Sequence, residues 1–453
     1  MPCFSLVKNM KRIIVNLFRK RILLLILILG GVLRIGMLFF NIQDNYSLFH
    51  NNTELISKKI NADDKPFQHS FGSEISNVAY SIVCKRDGFS NPFGGHTGPT
   101  GWVAPGMVAI YALSFYWFGC FTFKSIIFVF LFSLAVSLLM ILLVYLLCIE
   151  LFRNEIIGYI GAFLLAIDFH DIFIFKRINQ QDFNTLPFLF LLVFYLFMRC
   201  IKSRSIKNLL LVTLASGTAI LFNPAFGISI FLLLFFLLKR TIFKLKHGMI
   251  FLIVTLLMVT PYILYQRHQL EIWSLVKSNG PFEIYQGNVP DFSGFLTIDL
   301  FKKYHPIMNQ KEYREYKVKG EREYIDSKFA QFKNKFDLGS FALLSIKKIL
   351  YFFFIFPPLK IREPGVTLLM NFAYSLRGLS LLIYLLIRVK SITMNDKLLF
   401  IYIISFSIPY CVVGIMYRYS FPIVPLTTVL AAYSVYTICG WIKSNTVQNS
   451  WHC

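Results

Sequence analysis

Acidic side chains are in short supply in this sequence. Its 453 residues carry 23 Asp and Glu against 46 Lys and Arg, and the first 21 residues hold six basic residues and no acid. Charge of either sign is thin, at 15% of the chain, whereas 56% is hydrophobic and 17% aromatic. Several apolar runs exceed the roughly 18 residues needed to cross a bilayer, which excludes a soluble globular domain and points to an all-α polytopic membrane protein. The eight cysteines are scattered, with no C-x-x-C pair and no metal-ligand spacing, so they carry no redox or zinc message by themselves. Internal repeats and low-complexity tails are also missing.

The net charge of +23 would suit a nucleic-acid partner only if it formed a patch, and its distribution argues against one. Sixteen of the 23 acids fall in two long segments, 44–102 and 266–342, which are nearly neutral overall. The excess sits in short links between apolar runs, such as KSRSIK (202–207) and KRTIFKLKHG (239–248). That is the pattern of cytoplasmic loops, where Lys and Arg are retained. The basicity therefore reads as topology, with membrane lipids as partners and no nucleic acid.

What is present then orders itself by span. The basic N-terminus precedes ILLLILILGGVLRIGMLFF (22–40), longer than the apolar core of a signal peptide, so an uncleaved first span is expected. Further spans are expected near 125–149, 156–175, 185–201, 207–222, 225–238, 246–265, 368–388, 397–416 and 420–440, about ten in all with both termini in the cytoplasm. Two interrupted apolar segments, 103–120 and 341–357, keep every strongly basic link on one side only if neither crosses, so both are expected as interfacial helices. The chain then divides into a transmembrane module with its first outer loop (1–265, loop 41–124), a second large outer loop (266–367) and C-terminal helices (368–453). Loops of this length usually exist for function.

Candidate chemistry collects at the outer ends. In FGSEISNVAYSIV (71–83), Ser73 is an expected N-cap with Glu74 in the first turn, and the apolar side can rest on the membrane. Glu74 either complements the helix dipole or points into a cavity. In FKRINQQDFNTLPF (175–188), Lys176 and Arg177 run against the charge bias, which suits either a lipid phosphate or snorkelling to headgroups, and Asp182 stands beside them. Arg418, in YRYSFPIVP (417–425), offers another cation, either for a phosphate or as an interfacial anchor. Glu283 and Glu321 are weaker candidates in the second loop, and Arg34 in the first span is given no role. GFSNPFGGHTGPTGW (88–102) reads as a shaped backbone lip, with His96, Thr97, Gly98, Pro99, Thr100 and Trp102 as candidate substrate-loop residues.

Taken in order, GSEISNVAYSIV, GFSNPFGGHTGPTGWVAPG, RINQQDF, FNP, SNGPFEIYQGN with HP and GERE, and RYSFPIVP resemble the GT-C glycosyltransferases. The nearest likeness is to bacterial members close to the protein mannosyltransferases and the lipid A aminoarabinose transferases. The resemblance implies a GT-C-type bundle and an inverting transfer of sugar from a polyprenyl-phosphate donor to an acceptor lipid, glycan or protein. It further implies a bacterial inner membrane with the site facing outward. The family's first-loop acid falls on Glu74, where the usual Asp or Asp-Glu pair reads Ser73-Glu74, and its second acid matches Asp182. Lys176, Arg177 and Arg418 would offset the donor phosphate. The family's Glu-Lys-Pro-Pro segment reads Trp102-Val103-Ala104-Pro105 here, so its metal ligand is not carried over; a divalent metal stays open as a cofactor and none is assigned. The soluble C-terminal domain of some members is not expected either. The alternatives are a lipid-linked glycan flippase or transporter, and an O-antigen ligase or polymerase.

Overall fold

Backbone groups inside hydrocarbon can bond only to one another, so apolar runs of this length must be helical unless they close into a barrel. The computed structural model describes residues 3–39, 60, 65–67, 72–175, 183–354 and 364–449, and among these no strand forms. A lone antiparallel bridge joins Ser90 to Pro99. The helices are α1 (Cys3–Phe39), α2 (Ser73–Tyr80), α3 (Pro105–Phe118), α4 (Phe123–Phe152), α5 (Glu155–Ala166), α6 (Phe169–Ile174), α7 (Thr185–Ser203) and α8 (Ile206–Phe222). They continue as α9 (Ala225–Lys239), α10 (Leu245–Leu270), α11 (Gly280–Gln286), α12 (Ile298–Tyr304) and α13 (Gln310–Asn334). The last are α14 (Leu338–Phe353), α15 (Pro364–Arg388), α16 (Met394–Ser407) and α17 (Val424–Asn449).

Each expected span overlaps a helix, although 156–175 is interrupted at Ile167-Asp168 and 397–416 leaves the helix after Cys411, and six helical stretches are long and apolar enough to cross a membrane by length and composition. These are Arg21–Phe39, Phe123–Phe152, Glu155–Ile174, Thr185–Ser203, Leu245–Leu270 and Arg418–Lys443. α8 and α9 are shorter, at 17 and 15 residues, and turn at Asn223-Pro224. The two interfacial candidates are α3 and α14.

The bundle packs around one aromatic-rich core. Phe190 of α7 stacks on Tyr402 of α16 at 4.1 Å and meets Phe226 of α9 and Phe406 of α16 at 5.4 and 4.8 Å. Gly161 lets α5 approach α4 and α17 closely, since a Cβ there would stand 2.9 Å from Cys148 Sγ and 3.5 Å from Ala432. Arg34 is fully buried in α1, pairs with Asp171 and donates to Ser137 Oγ at 2.6 Å and to Ala166 O at 3.0 Å. A charge in that setting has to be neutralised where it sits, and this one is.

A second core caps the bundle. Trp102, Phe93, Tyr111, Phe282, Tyr313, Tyr316 and Tyr324 come from both outer-loop segments and are buried together. Val78 and Ala79 of α2 lie in this core, so the apolar side of that helix faces protein and not lipid. Cys84 and Cys120 form a disulfide across the base of the first loop, correcting the reading that the cysteines carry no redox message.

Candidate active site

The site begins at a glycine. Gly72 takes a left-handed conformation (φ 84°) before α2, and a Cβ there would stand 2.9 Å from the Tyr111 hydroxyl. The N-cap is thus Gly72, one residue before the expected Ser73, and no side chain caps the helix. Glu74 follows in the first turn, held at the mouth of a partly open cavity of about 100 Å³. Its other polar lining comes from Trp102, Asn223, Lys277, Asn279, Glu283, His305 and Arg418, against an apolar wall that includes Met107, Leu186, Phe222, Tyr410 and Phe421. These residues come from the loops and from the helix ends on one face of the bundle: the start of α7, the end of α8 and the segment before α17.

The Gly/Pro-rich stretch builds the support for this cavity. Asn91 is its hub, with Oδ1 accepting from Thr97 N at 2.8 Å and Gly98 N at 3.0 Å, while Nδ2 donates to Ser81 Oγ at 3.2 Å. The stretch ends against Glu321 of α13. That buried carboxylate accepts from Thr100 Oγ1 at 2.5 Å, Gly101 N at 2.7 Å, Ser278 Oγ at 2.5 Å and Tyr316 Oη at 2.7 Å. Burial raises the carboxyl's pKa, and the four donors pull it back. Glu321 therefore clamps the two long loop segments together.

Trp102 then lies in the cap core, 5.1 Å edge-on from Phe93 and 4.8 Å from Phe282, and hydrogen-bonds Glu74. His305 stacks on Phe301 at 4.0 Å, its Nδ1 accepts from Ile307 N at 3.3 Å, and its Nε2 stands 3.5 Å from Glu74 Oε1. Burial, reinforced by Arg418 and Lys277, pushes the imidazole well below its ordinary pKa. His305 is neutral at pH 7, with its proton on the nitrogen that faces the carboxylate. Among the described residues Glu74 Oε1 has no hydrogen-bond partner. Burial raises this carboxyl to about 7, Lys277 and Arg418 pull it down, and Glu283 adds to the rise.

A carboxyl of pKa about 7 is poised to take a proton at neutral pH. If the ionised form works, activity should fall about tenfold per unit as pH drops below that value. Glu283→Gln removes a like charge and should move the limb to lower pH, whereas Lys277→Met removes an attractive one and should move it up, each by about one unit. A pH profile of kcat/KM checks both directions, and coincident profiles would remove Glu74 as the titrating group.

Of the residues singled out from sequence, Glu74, Trp102, Arg418 and the weaker candidate Glu283 meet in this cavity. Arg418 hydrogen-bonds Tyr419, and its guanidinium lies 5.5 Å from the Phe183 ring. His96 is exposed, and with Thr97, Gly98, Pro99 and Thr100 it does not line the cavity; these residues shape the loop beneath it. Lys176, Arg177 and Asp182 lie outside the described residues. Lys277, Asn279 and His305 were not singled out. Lys277 carried a legible signal, a cation directly before SNGPF in a loop expected on the outer side, against the same charge bias that marks Lys176 and Arg177.

Among the described residues no three His, Cys, Asp or Glu side chains converge as a metal site. Glu74 and His305 supply two donors, short of the three or four protein ligands that zinc takes.

The sequence model of the dolichyl-phosphate-mannose-protein mannosyltransferase family matches residues 103–265. No curated protein matches the chain in sequence. Among solved structures, the apo oligosaccharyltransferase of Archaeoglobus fulgidus is similar at TM-score 0.54 and 13% identity, over 95% of this chain and 52% of that one. The same enzyme with Zn and sulfate gives TM-score 0.51 and 14% identity, over 93% and 49%. The oligosaccharyltransferase AglB of Archaeoglobus fulgidus in complex with an inhibitory peptide and a dolichol-phosphate gives 0.51 and 13%, over 96% and 52%. The chain spans about half the length of these relatives, and at such identity the likeness is one of fold. The architecture is that of the GT-C superfamily, and over residues 103–265 the sequence is similar to its protein mannosyltransferases.

Proposed function

We propose that this chain is a membrane glycosyltransferase that moves a sugar from a polyprenyl-phosphate carrier to an acceptor nucleophile. The observation that carries the reading is the unpartnered Oε1 of Glu74, held in one cavity with Lys277 and Arg418. Glu74 takes the proton of the acceptor hydroxyl or amine as that atom attacks the anomeric carbon. The bond from this carbon to the phosphate oxygen breaks, its electron pair leaves with the carrier phosphate, and the configuration inverts. Lys277 and Arg418 receive the negative charge that grows on the phosphate, and a carboxylate face steadies the positive charge on the sugar ring. Trp102 orients Glu74 by a hydrogen bond that lowers its pKa, a cost in basicity that burial outweighs, and the neutral His305 ring stands 3.5 Å from Oε1.

The matched mannosyltransferase family and a relative solved with a dolichol-phosphate and a peptide support a lipid-linked donor and a separate acceptor. Two features support an outer-face site in a bacterial inner membrane. The Cys84–Cys120 bridge lies in the cap, and such bridges persist in oxidising compartments. The basic links 202–207 and 239–248 lie at the opposite helix ends.

Reconstituted protein supplied with polyprenyl-phosphate-linked sugars should release polyprenyl phosphate in step with glycosylated acceptor. Lys277→Gln and Arg418→Gln should each raise the donor KM about tenfold to a hundredfold, the worth of one charged hydrogen bond. Unchanged donor affinity in both variants would place the phosphate elsewhere.

A further inference from the structure

A second cavity lies at the far ends of α7 and α8 from the catalytic one. It measures about 290 Å³ and is formed where the link between α7 and α8 meets the link between α9 and α10. Its rim carries Arg204, Lys246 and His247, and its floor is apolar, with Leu209, Phe243 and Ile250. No carboxylate lines it. Of the acids at these helix ends, Glu150 is paired with Lys202 at 2.7 Å and Asp396 with Arg388 at 3.0 Å, and neither they nor Glu155 line the cavity. Lys207, Lys239, Arg240 and Lys244 add further positive charge in the same two links.

A topological bias toward Lys and Arg accounts for charge spread along these links. It does not account for a hollow with a cationic rim and a hydrocarbon floor. Bringing Arg204 and Lys246 to one rim without an acid raises the local potential, and an anion would relieve it. The apolar floor suits a ligand that is phosphate at one end and acyl chain at the other. We infer that this cavity binds the headgroup phosphodiester of an anionic phospholipid, in the leaflet opposite the catalytic cavity. Arg204 and Lys246 hold the phosphate oxygens, and the glycerol and upper chain lie over Phe243 and Ile250. The inference is independent of the proposed chemistry.

The full chain in neutral detergent, titrated with phosphatidylglycerol or phosphatidylcholine of matched chains and read by native mass spectrometry, tests it. The wild type should prefer phosphatidylglycerol about thirtyfold, from two basic contacts. Arg204→Gln with Lys246→Gln should bring the two lipids to parity while the thermal unfolding midpoint in phosphatidylcholine stays unchanged. Ile206→Trp, at an exposed lining position, should also bring parity by narrowing the hollow without altering any charge. No preference in the wild type, or a preference that survives either variant, overturns the site; survival in Ile206→Trp alone would mean diffuse attraction. Displacement of the lipid by inorganic phosphate would also overturn it, since the site would then read a free anion.

Discussion

Glu74→Gln should lower the turnover of sugar transfer by about a thousandfold while donor binding stays close to wild type, as expected for a lost general base. The amide keeps the size of the side chain and can still accept from Trp102, so the cavity should hold its shape. What it loses is the ability to take a proton. The position has no understudy in the described cavity: His305 is held neutral with its proton toward Glu74, and Glu283 is engaged by Asn279 at 3.2 Å. Single-turnover assays with preloaded donor would separate the chemical step from binding. Full turnover in the Gln variant would remove Glu74 from the reaction, and a lost donor affinity with intact chemistry would recast it as a binding residue.

Glu321→Ala should be the most destabilising change in the cap. It strips the acceptor from Thr100, Gly101, Ser278 and Tyr316 at once, in a buried setting where each orphaned donor costs about 1–3 kcal/mol. A loss of at least about 4 kcal/mol is expected even if water recovers some of these bonds. Glu321→Gln should cost less, about 1–2 kcal/mol, because the Thr100 and Tyr316 hydroxyls can turn round and accept from the new amide. The ordering Ala worse than Gln, read from unfolding midpoints in micelles, distinguishes a hydrogen-bond clamp from a catalytic acid. An alanine variant with wild-type stability and no activity would reverse the assignment.

The helical bundle was legible because the bilayer sets the length and composition of each apolar run. Glu74 was legible for a local reason, as the acid in the first turn of a short helix. His305 was not, because nothing near His-Pro in the sequence says that its ring closes against a residue of the first loop. The same holds for Cys84 and Cys120, whose pairing is a matter of geometry and not of spacing. Of the lip residues expected at the substrate, His96 to Thr100 and Trp102, only Trp102 lines the cavity. Glycine and proline report that a backbone must bend sharply; they do not report which side of the bend is occupied. Glu321 was a weaker candidate in the second loop, and its four short donors make it a structural acid.

The clamp also sets a timetable for biogenesis. Thr100 and Glu321 are separated by 221 positions, and His305 reaches Glu74 over a comparable stretch of chain. Translation delivers the first loop long before either partner emerges from the ribosome. A nascent protein with its early helices already inserted therefore holds an unroofed, incorrectly braced Glu74, and competence arrives only when the polypeptide past residue 321 has been threaded back over it.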